Sequence, residues 1–146
     1  MEALYPQVVL DHYRNPRNHG TLDACTHAAE GANPLCGDHL RIELRCEGGR
    51  IEDLRFSGEA CAVATAAASM LGELVAGLGR EDVATLVARV ERLLTMGEAD
   101  ATLGALNAMA SLQRHPARRK CALLPLATLH AALDGRVQAT TETEPV

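Results

Sequence analysis

Cys36, Gly37 and Asp38 lie in the stretch Asn33-Pro34-Leu35-Cys36-Gly37-Asp38. A thiol and a carboxylate two residues apart can face one atom when glycine between them adopts backbone angles that a Cβ forbids. Asn-Pro upstream favours a turn or an extended entry over a helix. Two further thiols, Cys61 and Cys121, bring the set to three sulfurs and one carboxylate. Four donors is the number a tetrahedral zinc site takes, and thiolates suit soft metals. Such a site carries a formal charge of about −2, so nearby cations would help hold it. Arg118, Arg119 and Lys120 precede Cys121 and are placed for that.

Each residue also has a plainer reading. Cys36 with Asp38 fits a turn closed by an Asx hydrogen bond. Cys61 fits a buried thiol before an alanine-rich helix. Cys121 fits the core, because Ala122, Leu123 and Leu124 follow it. Cys46 alternates with apolar strand residues and reads as core. Cys25 reads as an edge or surface thiol, and the run 118–120 as a solvated face. His39, beside Asp38, could substitute as a ligand or face solvent.

The elements that must position these residues follow from periodicity. Residues 3–14 read as a helix with a stripe through Leu4, Val8 or Val9, and His12 or Tyr13, ended by Asn15-Pro16. Residues 24–30 read as a short edge strand. Leu40, Ile42, Leu44 and Cys46 alternate with Arg41, Glu43 and Arg45, a half-buried strand. Gly48-Gly49 supplies a hairpin turn, and the return strand runs from Ile51 to Phe56. Cys61 stands where strand periodicity gives way to a helix over 62–76. A second helix spans 81–94, a weaker one 102–113, and after a break at Pro116 the last helix carries Cys121 at or near its start. At a helix N-terminus a thiol is easier to ionise. Residues 1–135 form one domain, and the polar tail 136–146 is expected to be disordered.

Composition narrows the function. With 146 residues, 47% of them hydrophobic, one core is within reach. The net charge of −5 and the near absence of aromatics exclude a general nucleic-acid surface. No stretch is long and apolar enough to span a membrane. The N-terminus lacks the pattern of a secretory signal, so the expected location is the cytoplasm. Five cysteines, an odd number, argue for metal or thiol chemistry over a disulfide framework.

The chain resembles the NifU-like iron–sulfur cluster assembly proteins, the IscU/SufU group. The resemblance rests on residues 5–20, with Asp-His-Tyr-Arg-Asn-Pro-Arg-Asn, on Asn33 to Asp38, on Phe56-Ser57-Gly58-Glu59-Ala60-Cys61, on Ala68-Ser69-Met70 and on Pro116 to Cys121. Within the group it is similar to the SufU branch. Lys120 replaces the histidine that scaffold members carry before the last cysteine, and the interval from Cys61 to Cys121 is long, as if the helix near 81–94 were an insertion. One departure is Ala60, where many relatives have glycine.

The resemblance implies an α+β fold, a small three-stranded antiparallel sheet packed with about five helices (SufE/NifU-like). It implies zinc on Cys36, Asp38, Cys61 and Cys121, with Cys36 accepting sulfane sulfur from a cysteine desulfurase and passing it to a downstream scaffold or sulfur acceptor. In the related proteins a desulfurase histidine replaces the accepting cysteine on zinc. Arg118 maps to the arginine expected at the site or the partner interface. The alternative is a scaffold holding a transient 2Fe–2S cluster, or iron, on the same cysteines. A structural zinc domain is a third reading.

Overall fold

The computed structural model describes residues 6–141, which build an α+β fold. A four-stranded sheet carries helices over one face, in the order α1 (Gln7–Arg14), β1 (His27–Asn33), β2 (Asp38–Glu47), β3 (Arg50–Glu59), α2 (Ala62–Gly72), α3 (Arg80–Met96), a 3₁₀ segment (Ala101–Arg114), α4 (Pro116–Leu133) and β4 (Gln138–Thr140). The strand order is β3-β2-β1-β4.

The hairpin β2–β3 forms as the alternation dictates. Leu40, Ile42, Leu44, Ile51, Leu54 and Phe56 are buried on the helix-facing side, while the opposite face carries charged pairs such as Arg41 with Glu30 and Glu43. The register slips between Arg45 and Cys46, so Cys46 sits half-buried at a bulge against the edge of the core.

β1 lies further along the chain than the expected 24–30. It pairs antiparallel with β2 from His27↔Leu44 to Asn33↔Asp38, so the strand runs up to the chelating turn. The fourth strand corrects the expected three. Gln138–Thr140, expected to begin a disordered tail, pair in parallel with Glu30–Ala32. The expected disorder of 142–146 and the expected placement of Leu4 on the first helix lie outside the described residues.

α2 is alanine-rich because it is buried on most sides. Ala64, Ala66, Ala67 and Ala68 are all inaccessible or nearly so, and small side chains allow backbones to approach. α3 buries Val83, Leu86, Val90, Leu93 and Leu94, the stripe its periodicity defines. The expected helix 102–113 is instead 3₁₀ in character over Ala101–Arg114 and is broken by a kink at Gly104, where φ is 53°. α4 begins at Pro116, which occupies its first turn where a missing N–H costs nothing. It crosses β1 at Gly31, where a Cβ would collide with the Thr128 hydroxyl. That close crossing fixes how far α4, and Cys121 on it, stands from the sheet.

Candidate metal centre

Three elements and one turn converge at the end of the sheet. Pro34 to Gly37 connect β1 to β2, and the turn is closed by the Cys36 N–H donating to the Asn33 carbonyl at 3.1 Å. Gly37, at φ 72°, takes the left-handed conformation that reverses the chain between the thiol and the carboxylate. Asp38 opens β2 and is 3% exposed. Cys61 caps α2, its sulfur accepting from the Ala64 N–H at 3.5 Å. Cys121 faces inward from α4 and is fully buried.

Donor atoms of Cys36, Asp38 and Cys121 all lie within 4.8 Å of one another. Cys61 joins them from the side. Its sulfur is 3.7 Å from Asp38 Oδ2, and its backbone N–H donates to Asp38 Oδ1 at 2.8 Å. All four candidate ligands read from the sequence are thus brought to one place. Accessibility grades across them: Leu35, beside Cys36, is 72% exposed, Cys36 and Cys61 are half-buried, and Cys121 is closed off.

The two inner thiols interact. A hydrogen bond from Cys121 holds the Cys61 thiol down to about 7, helped by the backbone N–H groups of Ala64 and Val63 and opposed by burial and Asp38. The same bond with Cys61, together with burial, pushes Cys121 far up. Cys121 is the sixth residue of α4, in its second turn, near the helix start as expected, with the helix beginning at Pro116. Its sulfur also lies 3.5 Å from the Ala117 carbonyl. Pro125, four residues on, has no N–H to give the Cys121 carbonyl.

Arg118 is half-buried in the first turn of α4, one turn before Cys121. Arg119 turns back to the Gln113 carbonyl at 2.9 Å. Lys120 lines a groove of about 830 Å³ between α3, α4 and β4, with Glu91, His130 and His39. His39 is exposed and pairs with Glu30 at 3.1 Å, on the strand face opposite to Asp38. Cys25 is exposed.

One residue at the centre is missed by the sequence reading. Asn33 is fully buried, and its Nδ2 lies 3.4 Å from both Asp38 Oδ2 and Cys121 Sγ. In the sequence it reads only as a turn residue before proline. Its role becomes visible once the register places it opposite Asp38.

Comparison with known proteins shows the family. The NifU-like N terminal domain model matches residues 4–134, and the chain belongs to that family. It is similar to the zinc-dependent sulfurtransferase SufU of Bacillus subtilis (strain 168), 35% identical over 126 residues that cover 85% of each chain. The iron–sulfur cluster assembly scaffold protein IscU of Thermotoga maritima is 32% identical over 134 residues, covering 90% of this chain and 94% of that one. Among solved structures, the putative iron–sulfur cluster assembly scaffold protein for the SUF system from Fervidobacterium islandicum AW-1 superposes with a TM-score of 0.83 at 27% identity, over 90% of this chain and 98% of that one.

Proposed function

We propose that this protein is a zinc-dependent sulfur carrier of iron–sulfur cluster assembly, taking sulfane sulfur from a cysteine desulfurase and passing it to a downstream scaffold or acceptor. The observation that carries this reading is the convergence of Cys36, Asp38 and Cys121 within 4.8 Å, with Cys61 against Asp38. Three sulfurs and one carboxylate oxygen fit zinc in number and in softness. The turn after β1, the start of β2, the cap of α2 and the second turn of α4 supply them.

Bound zinc would supply a charge that keeps the thiols ionised near neutral pH. The rest is done by the chain. Cys36 is the acceptor, because it lies half-buried on the turn beside exposed Leu35, whereas Cys121 is sealed in the core. Its thiolate attacks the outer sulfur of the donor's cysteine persulfide, in the manner of thiol–disulfide exchange. A sulfur–sulfur bond forms at Cys36, the sulfur–sulfur bond of the donor breaks, and the donor cysteine leaves as a thiolate. No net oxidation occurs. Asp38, Cys61 and Cys121 hold the remainder of the site in register, and Arg118, one turn below Cys121, contributes positive charge on the approach of the donor.

The test is mass spectrometry after incubation with a cysteine desulfurase and cysteine. A persulfide on Cys36, lost in a folded Cys36→Ala variant, is the expected result. A persulfide found only on Cys121 would transfer the role there. A brown protein with bound iron and labile sulfide, and no zinc, would instead favour the scaffold reading.

A further inference from the structure

Asn33 is the polar residue that this fold has least reason to bury. It is fully inaccessible, and its Oδ1 has no hydrogen-bond partner. A buried carbonyl without a partner is a cost to the fold, so for stability alone an apolar side chain would serve better. The other end of the amide accounts for its presence. Nδ2 is directed at Asp38 Oδ2 and Cys121 Sγ, each at 3.4 Å.

We propose that Asn33 is a positioning residue of the metal centre, which sets zinc affinity by clamping the ligand from β2 to the ligand from α4. The inference rests on the reading of Cys36, Asp38, Cys61 and Cys121 as zinc ligands. Both groups that the amide faces are acceptors when ionised, and both must be ionised to bind a cation. One amide therefore bridges the two candidate ligands, 3.4 Å from each. It does so without adding charge to a site whose four anionic donors already exceed the charge of a divalent ion. Asn33 ends β1, Asp38 begins β2 and Cys121 is on α4, so one side chain ties three elements together at the ligands. Asn33 touches no reacting atom; it acts through Asp38 and Cys121.

The test compares full-length wild type with Asn33→Leu, of similar volume but without a donor, and Asn33→Asp, which puts an acceptor where the donor was. Zinc affinity is read by competition with a chromophoric chelator. The thiolate-to-metal absorption band is read after cobalt substitution, and thermal unfolding is measured on the metal-free proteins. Both variants should bind zinc about 10–100-fold more weakly, the range seen when a residue supporting a ligand is lost. The cobalt band should shift, while metal-free Asn33→Leu should unfold close to wild type. If Asn33→Leu does not fold, Asn33→Asp decides. A folded variant that holds zinc as tightly as wild type, with an unmoved cobalt band, overturns the proposal. Failure of wild type to bind zinc, or an unchanged affinity in Cys121→Ser, overturns the reading of the site itself.

Discussion

The carboxylate of Asp38 accepts a hydrogen bond from the backbone N–H of Cys61 at 2.8 Å. This bond crosses from the start of β2 to the cap of α2 and brings the side-chain oxygen of one candidate ligand to 3.7 Å from the sulfur of the other. On the proposed reading Asp38 has two tasks, one toward the metal and one toward the backbone that presents Cys61. Substitutions separate them. Asp38→Asn keeps an oxygen able to accept from Cys61 but loses the charge, whereas Asp38→Ala loses both. Zinc affinity should fall in the order wild type, Asp38→Asn, Asp38→Ala. The alanine loss should exceed the about 10–100-fold expected for a residue that only supports a ligand. Chelator competition gives the order, and equal affinities for the alanine variant and wild type would remove Asp38 from the ligand set.

Metal removal should weaken this fold without unfolding it. The core is assembled by the hairpin, α2, α3 and α4 and consists chiefly of leucines, valines and alanines, with Cys121 among them and Cys36 and Cys61 packed against it. A ligand present at about 100 times its dissociation constant stabilises the folded state by roughly 2.7 kcal/mol. For a domain of this size that corresponds to about 10 °C in Tm. Chelation should therefore lower Tm by about that amount while the far-ultraviolet circular dichroism keeps its native shape. Collapse of the spectrum on chelation would identify a structural zinc domain instead.

Much of this was legible in the residues because local chemistry and tertiary placement agree. Strict alternation over Leu40 to Leu44 gives a strand in any context that buries one face, and the stripe Val83, Leu86, Val90, Leu93 gives α3. The candidate ligands were picked out by residue type and motif, and the fold brings their donor atoms close together. Elements decided by distant partners were not. Gln138–Thr140 has no apolar alternation and becomes a strand only because the edge of β1 is open beside it. The end of β1 reads as loop, since Gly31 and Asn33 are weak strand formers, yet Gly31 is there to let α4 pass. Pro116 reads as a break and is the first residue of α4, so the basic run 118–120 lies inside the helix and Cys121 in its second turn. Asn33 carries no local signal, because its partners are Asp38 and a cysteine 88 positions away.

The crossing of α4 over β1 gives a packing test. At Gly31 a Cβ would overlap the Thr128 hydroxyl, itself donating to the Leu124 carbonyl at 2.7 Å. Gly31→Ala must push α4 outward or distort Thr128, and overpacking of this kind costs about 1–3 kcal/mol. Because Cys121 rides on the same helix, zinc affinity should fall with stability. Adding Thr128→Ala removes the overlapping oxygen, so the double variant should recover part of both losses, a coupling that a double-mutant cycle reads directly. Strictly additive effects would show that the helix does not rest on Gly31.

His12 ties α1 to α2 from the other side of the core and should make stability depend on pH. Its Nδ1 meets Ser69 Oγ at 2.7 Å, Ser69 Oγ accepts the Arg17 N–H at 2.8 Å, and His12 Nε2 lies 3.5 Å from the Glu73 carboxylate. With the serine oxygen occupied by Arg17, its hydroxyl proton is free for a neutral imidazole, which can in turn donate to Glu73. Burial lowers the His12 pKa below its ordinary 6.5, as does Arg17, while Glu73 and Asp11 pull it back up in part. A depressed folded-state value favours the neutral ring. The contribution to stability is therefore fully present above 6.5 and is lost as pH falls below it, when the unfolded chain takes up the proton first. Chemical denaturation of the metal-free protein at a series of pH values should show stability dropping on acidification through this window. His12→Gln, which does not titrate, should start lower by about 1–3 kcal/mol at neutral pH, the cost of a broken buried hydrogen-bond pair, and should lose less on acidification. Parallel pH profiles for the two proteins would mean that the imidazole stays in one protonation state throughout and that the acid sensitivity lies elsewhere.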